Sequence, residues 1–138
     1  MSRERVLAFM EDMQSRDVQR LARWMTDRTV FWVPPREPIT GGRRVLALLR
    51  AIFSAYETLD WTTRHIYEVS PSRCVYFHET VGTLAKGRGP YTNQVVTLID
   101  FDDEGRIAYL SDYFKSTVTF SQPDSAAGPA PIHPEPER

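Results

Sequence analysis

The residue best placed for proton transfer in this sequence is Asp112, which lies in the last stretch of the chain that has the pattern of a β-strand. Leu110 and Phe114 lie two positions to either side, so in a β-strand all three side chains share one face. A carboxylate between apolar neighbours loses hydration, which raises its pKa toward the range useful for a general acid or base. The alternative is a surface aspartate on the outer face of a sheet, or a salt-bridge partner.

Two histidines lie in the two arms of a predicted β-hairpin whose loop is residues 70–73. With that loop, the two strands pair so that Arg64 lies opposite Glu79. This pair of opposite charges supports the predicted register. It also places His65 opposite His78, on one face of the sheet. An imidazole that titrates near neutrality can act as an acid, a base or a hydrogen-bond donor. A slip of one residue in the turn would reverse these faces.

Two histidines and a carboxylate could instead bind a metal, because that ligand set suits non-haem iron. The sequence contains no local metal-ligand motif and no glycine-rich phosphate loop. We therefore predict a site that needs neither a metal nor a cofactor.

The composition narrows the class of protein. The chain has 138 residues, enough for one domain with a core and a pocket. Its 17 basic and 18 acidic residues give a net charge of −1, which provides no argument for a nucleic-acid or membrane partner. Cys74 is the single cysteine, so no intrachain disulfide forms, and no apolar run approaches membrane-spanning length. We expect a cytoplasmic protein.

The elements that must position these residues begin with helices. Apolar residues recur at helical spacing in 3–14, 18–25 and 45–56, which predicts three amphipathic helices. Between the second and the third, residues 29–33 are β-branched and aromatic, which indicates a strand. Pro34-Pro35 ends that strand, because proline cannot donate to a β-ladder.

From residue 59 the apolar period changes to two. Four long strands are predicted, at 59–69, 74–86, 91–102 and 106–120. Helices followed by a meander predict an α+β domain, with three helices packed on one face of a strongly curved mixed or antiparallel sheet. This domain spans residues 1–120. Residues 121–138 hold five of the ten prolines and are predicted to be a disordered tail.

The order of elements resembles that of the nuclear transport factor 2-like superfamily of cone-shaped α+β domains. The stretch Trp-Val-Pro-Pro at 32–35, with Pro38 and Gly41 before a helix, resembles the superfamily's strand–loop–helix segment. Residues 101–107, followed by Asp-Tyr-Phe at 112–114, resemble the last hairpin of its SnoaL-like polyketide cyclase and limonene-epoxide-hydrolase branches. The resemblance covers residues 3–120 and implies a cone-shaped barrel with a pocket.

The resemblance implies a pocket aspartate at Asp112, seven residues after Gly105. The epoxide hydrolases add an arginine and a second aspartate, but Thr80 and Gly82 stand at those two places. We therefore do not expect epoxide ring-opening.

Steroid isomerisation by the ketosteroid-isomerase route is also excluded. Val33 stands where that family has its aspartate base, and Leu98 where it has its oxyanion-binding aspartate. A SnoaL-like cyclase needs only one acid or base, because a polycarbonyl substrate is itself acidic. The polar residues of its penultimate strand correspond here to Val96 and Leu98, so we predict that His78 fills the second role opposite Asp112.

We therefore predict an enzyme that cyclises or isomerises a carbonyl-bearing, polyketide-like intermediate, with Asp112 and His78 as catalytic residues. The expected substrate-binding residues are Trp32, Trp61, His65, Tyr76, Gln94, Leu98, Leu110 and Phe114. We expect a homodimer through the outer sheet face. The rival interpretations are a domain that only binds a hydrophobic ligand and a protein-interaction module that uses the sheet surface.

Overall fold

The computed structural model describes residues 1–116. The elements are α1 (Ser2–Ser15), α2 (Val18–Ala22), β1 (Val30–Trp32), β2 (Ile39–Thr40), α3 (Gly42–Ser54), β3 (Tyr56–Ser70), β4 (Arg73–Leu84), a 3₁₀ turn (Ala85–Gly87), β5 (Gly89–Phe101) and β6 (Ile107–Phe114). The predicted tail, 121–138, lies outside the described residues.

The three helices form in the predicted regions, although α2 ends at Ala22 and Tyr56 begins β3 instead of ending α3. One side of α1 buries Val6 and Phe9, and α3 buries the side that carries Val45. The short α2 begins after Asp17, whose carboxylate accepts a hydrogen bond from the Gln19 backbone N–H at 2.9 Å. This N-cap satisfies a backbone donor that the first helical turn leaves without a partner.

The six strands form one sheet in the order β2-β1-β6-β5-β4-β3. Neighbouring strands are antiparallel except β1 and β6, which are parallel. The α+β class and the mixed sheet are confirmed. The strand order is linear, so the sheet has two edges and does not close into a barrel. The sequence did not predict β2, because two residues are too few to show a period.

One face of the sheet carries the core. Every second residue of β5 from Tyr91 to Phe101 is buried, and the main hydrophobic cluster joins this face to α1, α2 and α3. Cys74, the single cysteine of the chain, is fully buried within that cluster. Among residues 1–116, no helix is long and apolar enough to cross a membrane.

The first helix also covers part of the sheet edge formed by β3. The Gln14 amide donates to the Leu59 carbonyl at 3.1 Å and accepts from the Trp61 backbone N–H at 2.9 Å. Near the other end of β3, the Ser2 hydroxyl donates to the Ser70 carbonyl at 2.8 Å. These side chains satisfy backbone groups that no neighbouring strand pairs.

The predicted register of the β3–β4 hairpin is wrong beyond its turn. Residues 70–73 were expected to form the loop, but Ser70 and Arg73 already pair as strand residues. The register then shifts between Glu68 and Ser70 and again between Thr63 and His65. Each shift inserts one extra residue into β3, and a β-bulge of this kind exchanges the faces that follow it. As a result His65 pairs with Phe77 rather than with His78.

The predicted ion pair between Arg64 and Glu79 forms even though the register differs from the predicted one. The Arg64 guanidinium donates to the Glu79 carboxylate at 2.7 Å, although the residue directly opposite Glu79 is Thr62. A long arginine side chain reaches its partner diagonally, so the pair does not determine the register.

Candidate functional site

A cavity lies between the helices and the inner face of the sheet. Its apolar lining residues are Phe9, Met10, Met13, Phe31, Val33, Leu49, Ile52, Leu59, Trp61, Val95, Leu110 and Phe114. Its polar lining residues are Tyr56, Tyr76, His78, Thr80, Tyr91, Thr97 and Asp112. A mostly apolar cleft with a few convergent polar groups is typical of small-molecule sites.

Three of the polar side chains form one hydrogen-bonded chain. The Thr97 hydroxyl donates to Asp112 Oδ1 at 2.6 Å, and His78 Nε2 lies 2.9 Å from the same hydroxyl oxygen. The sheet register creates this chain, because Thr97 pairs directly with Asp112 on β6 and with Tyr76 on β4. His78 lies two residues along β4 from Tyr76 and therefore on the same face.

Asp112 is partly exposed to solvent because its side chain borders the cavity, and protein atoms surround it on its other sides. Loss of hydration raises the pKa of this carboxyl from 3.8 to about 6, and the hydrogen bond from Thr97 opposes the rise. A carboxylate with a pKa near 6 is mostly ionised at neutral pH, yet it can take up and return a proton. Of its two oxygens, Oδ2 has no hydrogen bond from residues 1–116.

His78 is 5% exposed, and burial lowers its pKa to about 4. The imidazole is therefore neutral at physiological pH. Its ring stacks on Tyr76 with centroids 5.3 Å apart. While Nε2 contacts Thr97, Nδ1 is buried without a hydrogen-bond partner among residues 1–116.

The cavity also borders a second polar group, made of tyrosines. Tyr56 and Tyr91 meet edge to face at 4.9 Å, and the Asn93 amide donates to the Tyr91 hydroxyl at 2.9 Å. Burial raises the pKa of both phenols, so both stay protonated at neutral pH. Asn93 also donates to the Ser116 carbonyl at 2.7 Å and accepts from its N–H at 3.2 Å.

Thr80 has a different place in the cavity. Its side chain is 4% exposed and borders the cavity, and no residue among 1–116 forms a hydrogen bond with its hydroxyl. This hydroxyl is available to a bound molecule.

Six of the ten predicted site residues border the cavity: Trp61, Tyr76, His78, Leu110, Asp112 and Phe114. Asp112 and His78, the two predicted catalytic residues, are linked through Thr97. The predicted pairing of His78 with His65 across the hairpin is wrong, because the bulges of β3 leave the two rings on opposite faces.

The other four predicted residues lie on the outer face of the sheet. Trp32 packs on Tyr113 with centroids 6.2 Å apart, while its neighbours on either side point into the cavity. His65 is exposed beside Tyr67 and Phe77. Gln94 and Leu98 alternate with the buried positions of β5. Strand alternation therefore excludes Trp32, Gln94 and Leu98 from the cavity. The β-bulge between Thr63 and His65 turns His65 to the outer face.

Sequence reasoning missed Thr97 and Tyr91, and it gave Thr80 no role in the predicted site. β5 carries apolar residues on both faces, including Val95 and Val96, so its sequence does not show which set of alternate residues faces inward. The pairing of Thr97 with Asp112 also depends on a register shift near Phe101. Among residues 1–116, no group of three or more histidine, cysteine or acidic side chains is placed to hold a metal.

Comparison with known proteins gives one family match. A model of the SnoaL-like domain matches residues 6–110, about three quarters of the chain. No curated protein matches the sequence at a significant level.

Solved structures resemble the whole domain. An epoxide hydrolase of the limonene-epoxide-hydrolase-like type from Mycobacterium tuberculosis is 24% identical, with a TM-score of 0.69 over 86% of this chain and 85% of that chain. A protein from Shewanella putrefaciens, provisionally assigned as a SnoaL-like polyketide cyclase, is 15% identical, with a TM-score of 0.73 over 88% and 84%. TerC, crystallised with polyporic acid, is 20% identical, with a TM-score of 0.73 over 88% and 95%. At these identities the likeness establishes the fold.

Proposed function

The chain belongs to the SnoaL-like domain family, and on that premise we propose that it is an enzyme that cyclises or isomerises a small carbonyl-bearing molecule by proton transfer at Asp112. One observation carries the proposal: a single carboxylate with a raised pKa faces a cavity whose other lining side chains are apolar or neutral. Groups whose pKa is displaced by burial inside a cleft are candidates for acid–base catalysis.

The proposed chemistry needs one group that alternates between base and acid. Ionised Asp112 accepts a proton from the carbon next to a substrate carbonyl, which leaves an enolate. The enolate carbon bonds to a second carbonyl carbon of the same molecule, and the new alkoxide takes the proton back from Asp112. No atom is gained or lost, so neither a cofactor nor an oxidant enters the balance. The free hydroxyl of Thr80 is available to donate to a substrate oxygen.

The lining of the cavity supports the substrate class. Its walls are aromatic and aliphatic, and its polar groups are few and mostly neutral. Such a cavity favours a compact, hydrophobic molecule with a small number of oxygen atoms, as in a polyketide-like natural-product intermediate. Two of the similar structures, the provisionally assigned polyketide cyclase and TerC with polyporic acid, support this substrate class.

The test compares metabolites from hosts that carry wild type, a clean deletion, Asp112→Asn or the control Asp103→Asn. Asp103 is an exposed turn carboxylate, so its variant should match wild type. If Asp112→Asn folds by circular dichroism and accumulates the same uncyclised compound as the deletion, proton transfer at Asp112 is supported and the compound identifies the substrate. If it matches wild type while the deletion does not, the acid–base proposal fails and the cavity acts by binding.

For the outer sheet face, we propose association with a second copy of the chain. Exposed hydrophobic residues gather there: Tyr67, Val69, Phe77, Val81 and Tyr113. Two ion pairs, Arg64–Glu79 and Arg73–Asp100, lie on the same face. An apolar centre with polar groups around it is the usual composition of a protein–protein interface.

A further inference from the structure

The hydrogen-bonded chain at the cavity constrains where each of its protons lies. A threonine hydroxyl has one hydrogen to donate, and it can accept from other donors. Thr97 lies 2.6 Å from Asp112 Oδ1 and 2.9 Å from His78 Nε2. When the carboxyl is ionised it only accepts, so the single hydrogen of Thr97 must point to Asp112. His78 Nε2 must then be the donor to Thr97.

We propose that Thr97 and His78 are positioning residues, which occupy Oδ1 of Asp112 and leave Oδ2 to meet the substrate. This inference rests on the proposed function, because it specifies how the proton-transferring carboxylate is held. It adds Thr97 to the site and changes the role predicted for His78. The imidazole acts through Thr97, instead of touching the substrate as a second acid.

The burial of His78 supports this change of role. The ring is 5% exposed, Nε2 is used by Thr97, and Nδ1 is enclosed without access to solvent. A buried imidazole that stays neutral has one protonated nitrogen, and the bond to Thr97 places that proton on Nε2. The cost of an unpaired Nδ1 is smaller when that atom is a bare acceptor rather than an N–H donor.

The surroundings of Asp112 contain few other groups that could control its titration. Of the titratable side chains that border the cavity, Tyr76 and His78 come from β4, Tyr91 from β5 and Tyr56 from β3. Burial holds these phenols protonated. The residues of α1 and α3 that border the cavity are apolar. Among residues 1–116, Thr97 is therefore the one donor bonded to the carboxylate.

The experiment is an NMR titration of the free protein, followed at the ¹³C signal of the Asp112 carboxyl carbon. Thr97→Val removes the hydroxyl at nearly constant volume and should raise the pKa of Asp112 by about one, since a hydrogen bond to a charged group contributes on the order of 1.5 kcal/mol. Thr97→Ser retains the hydroxyl and should restore the wild-type titration. Thr80→Val is the matched control, because Thr80 borders the same cavity without bonding Asp112.

The ¹⁵N signals of His78 supply a second readout that needs no variant. Wild type should show a protonated Nε2 and a bare Nδ1 at neutral pH. An Nδ1–H tautomer overturns the proposal, and so does a Thr97→Val titration that matches wild type or is no higher than that of Thr80→Val. If Thr97→Val fails to fold, the wild-type tautomer decides alone.

These measurements contain no substrate, so they fail independently of the proposed function. A shifted titration in Thr97→Val, combined with an unchanged metabolite profile in Asp112→Asn, would keep the hydrogen-bonded geometry and reject its catalytic use. The reverse combination would keep Asp112 as the acid–base group and reject Thr97 and His78 as its positioning residues.

Discussion

Asp112→Asn should make the protein more stable at neutral and alkaline pH, although we expect it to abolish activity. Folding raises the pKa of this carboxyl from 3.8 to about 6. Each pKa unit corresponds to about 1.4 kcal/mol, so holding the ionised form in the cavity costs about 3 kcal/mol, or less where water reaches the side chain. An asparagine avoids that cost, and its carbonyl oxygen can still accept from the Thr97 hydroxyl.

The pH dependence of this difference has a definite sign. Since the pKa of Asp112 is raised on folding, the folded state binds more protons than the unfolded state between about pH 4 and pH 6. The contribution of Asp112 to stability is therefore fully present below about pH 4 and is lost as the pH rises through 6. The pKa of His78 is lowered on folding to about 4, which contributes with the opposite sign. Both proteins contain His78, so their difference isolates Asp112.

Urea unfolding of wild type and Asp112→Asn at about pH 8 and about pH 4 measures the effect. The free energy of unfolding of the variant should exceed that of wild type by about 2 to 3 kcal/mol at the higher pH, and the two should converge at the lower pH. Asp103→Asn should match wild type at both. Equal stability of wild type and Asp112→Asn at about pH 8, or a difference independent of pH, would refute the reasoning.

Three further predictions concern the rest of the fold. Gly82→Ala should lower the free energy of unfolding by about 2 kcal/mol or more, since a Cβ there would lie 2.1 Å from the Thr58 carbonyl oxygen; unchanged urea unfolding would contradict this. Phe77→Glu should convert a dimer to a monomer in sedimentation velocity, whereas Leu7→Glu, an exposed site on α1, should not; a dimer that persists in Phe77→Glu would contradict it. Native Cys74 should react with a thiol reagent only after unfolding, because burial raises its pKa and encloses it; labelling of the folded protein would show otherwise.

The sequence predicted the order of elements, and the strand pattern together with the family resemblance pointed to Asp112. Helical and strand periods differ clearly in this chain, because α3 buries one helical stripe and β5 buries every second residue. Leu110 and Asp112 share a strand face, which alone left a surface aspartate as the alternative. The resemblance to the SnoaL-like cyclases is what implied a pocket position for Asp112. His78 was identified for a pairing that does not exist, and the structure brings it to the cavity through a different one.

The remaining errors have physical causes. The β-bulges near Val69 and Arg64 are local changes of backbone conformation. Neither valine nor arginine is a residue type that indicates a bulge in a sequence. Thr97 could not be assigned to the cavity from the sequence, because β5 carries apolar residues on its outer face as well. Either set of alternate residues could therefore be the buried one. The tyrosine pair Tyr56–Tyr91 joins strands that are not neighbours in the sheet. Contacts of that kind follow from the curvature of the sheet, which no local pattern records.

The attachment of α1 to β3 has a consequence for solubility. An edge strand of 15 residues offers a row of free N–H and C=O groups on which another extended chain can add, and this is a common start of aggregation. Gln14 occupies that row at Leu59 and Trp61 as a backbone amide would, and Ser2 does so near the hairpin turn. The helix that forms one wall of the cavity thus also blocks strand addition along the edge. Detaching α1 would expose both the unpaired backbone groups of β3 and the cavity.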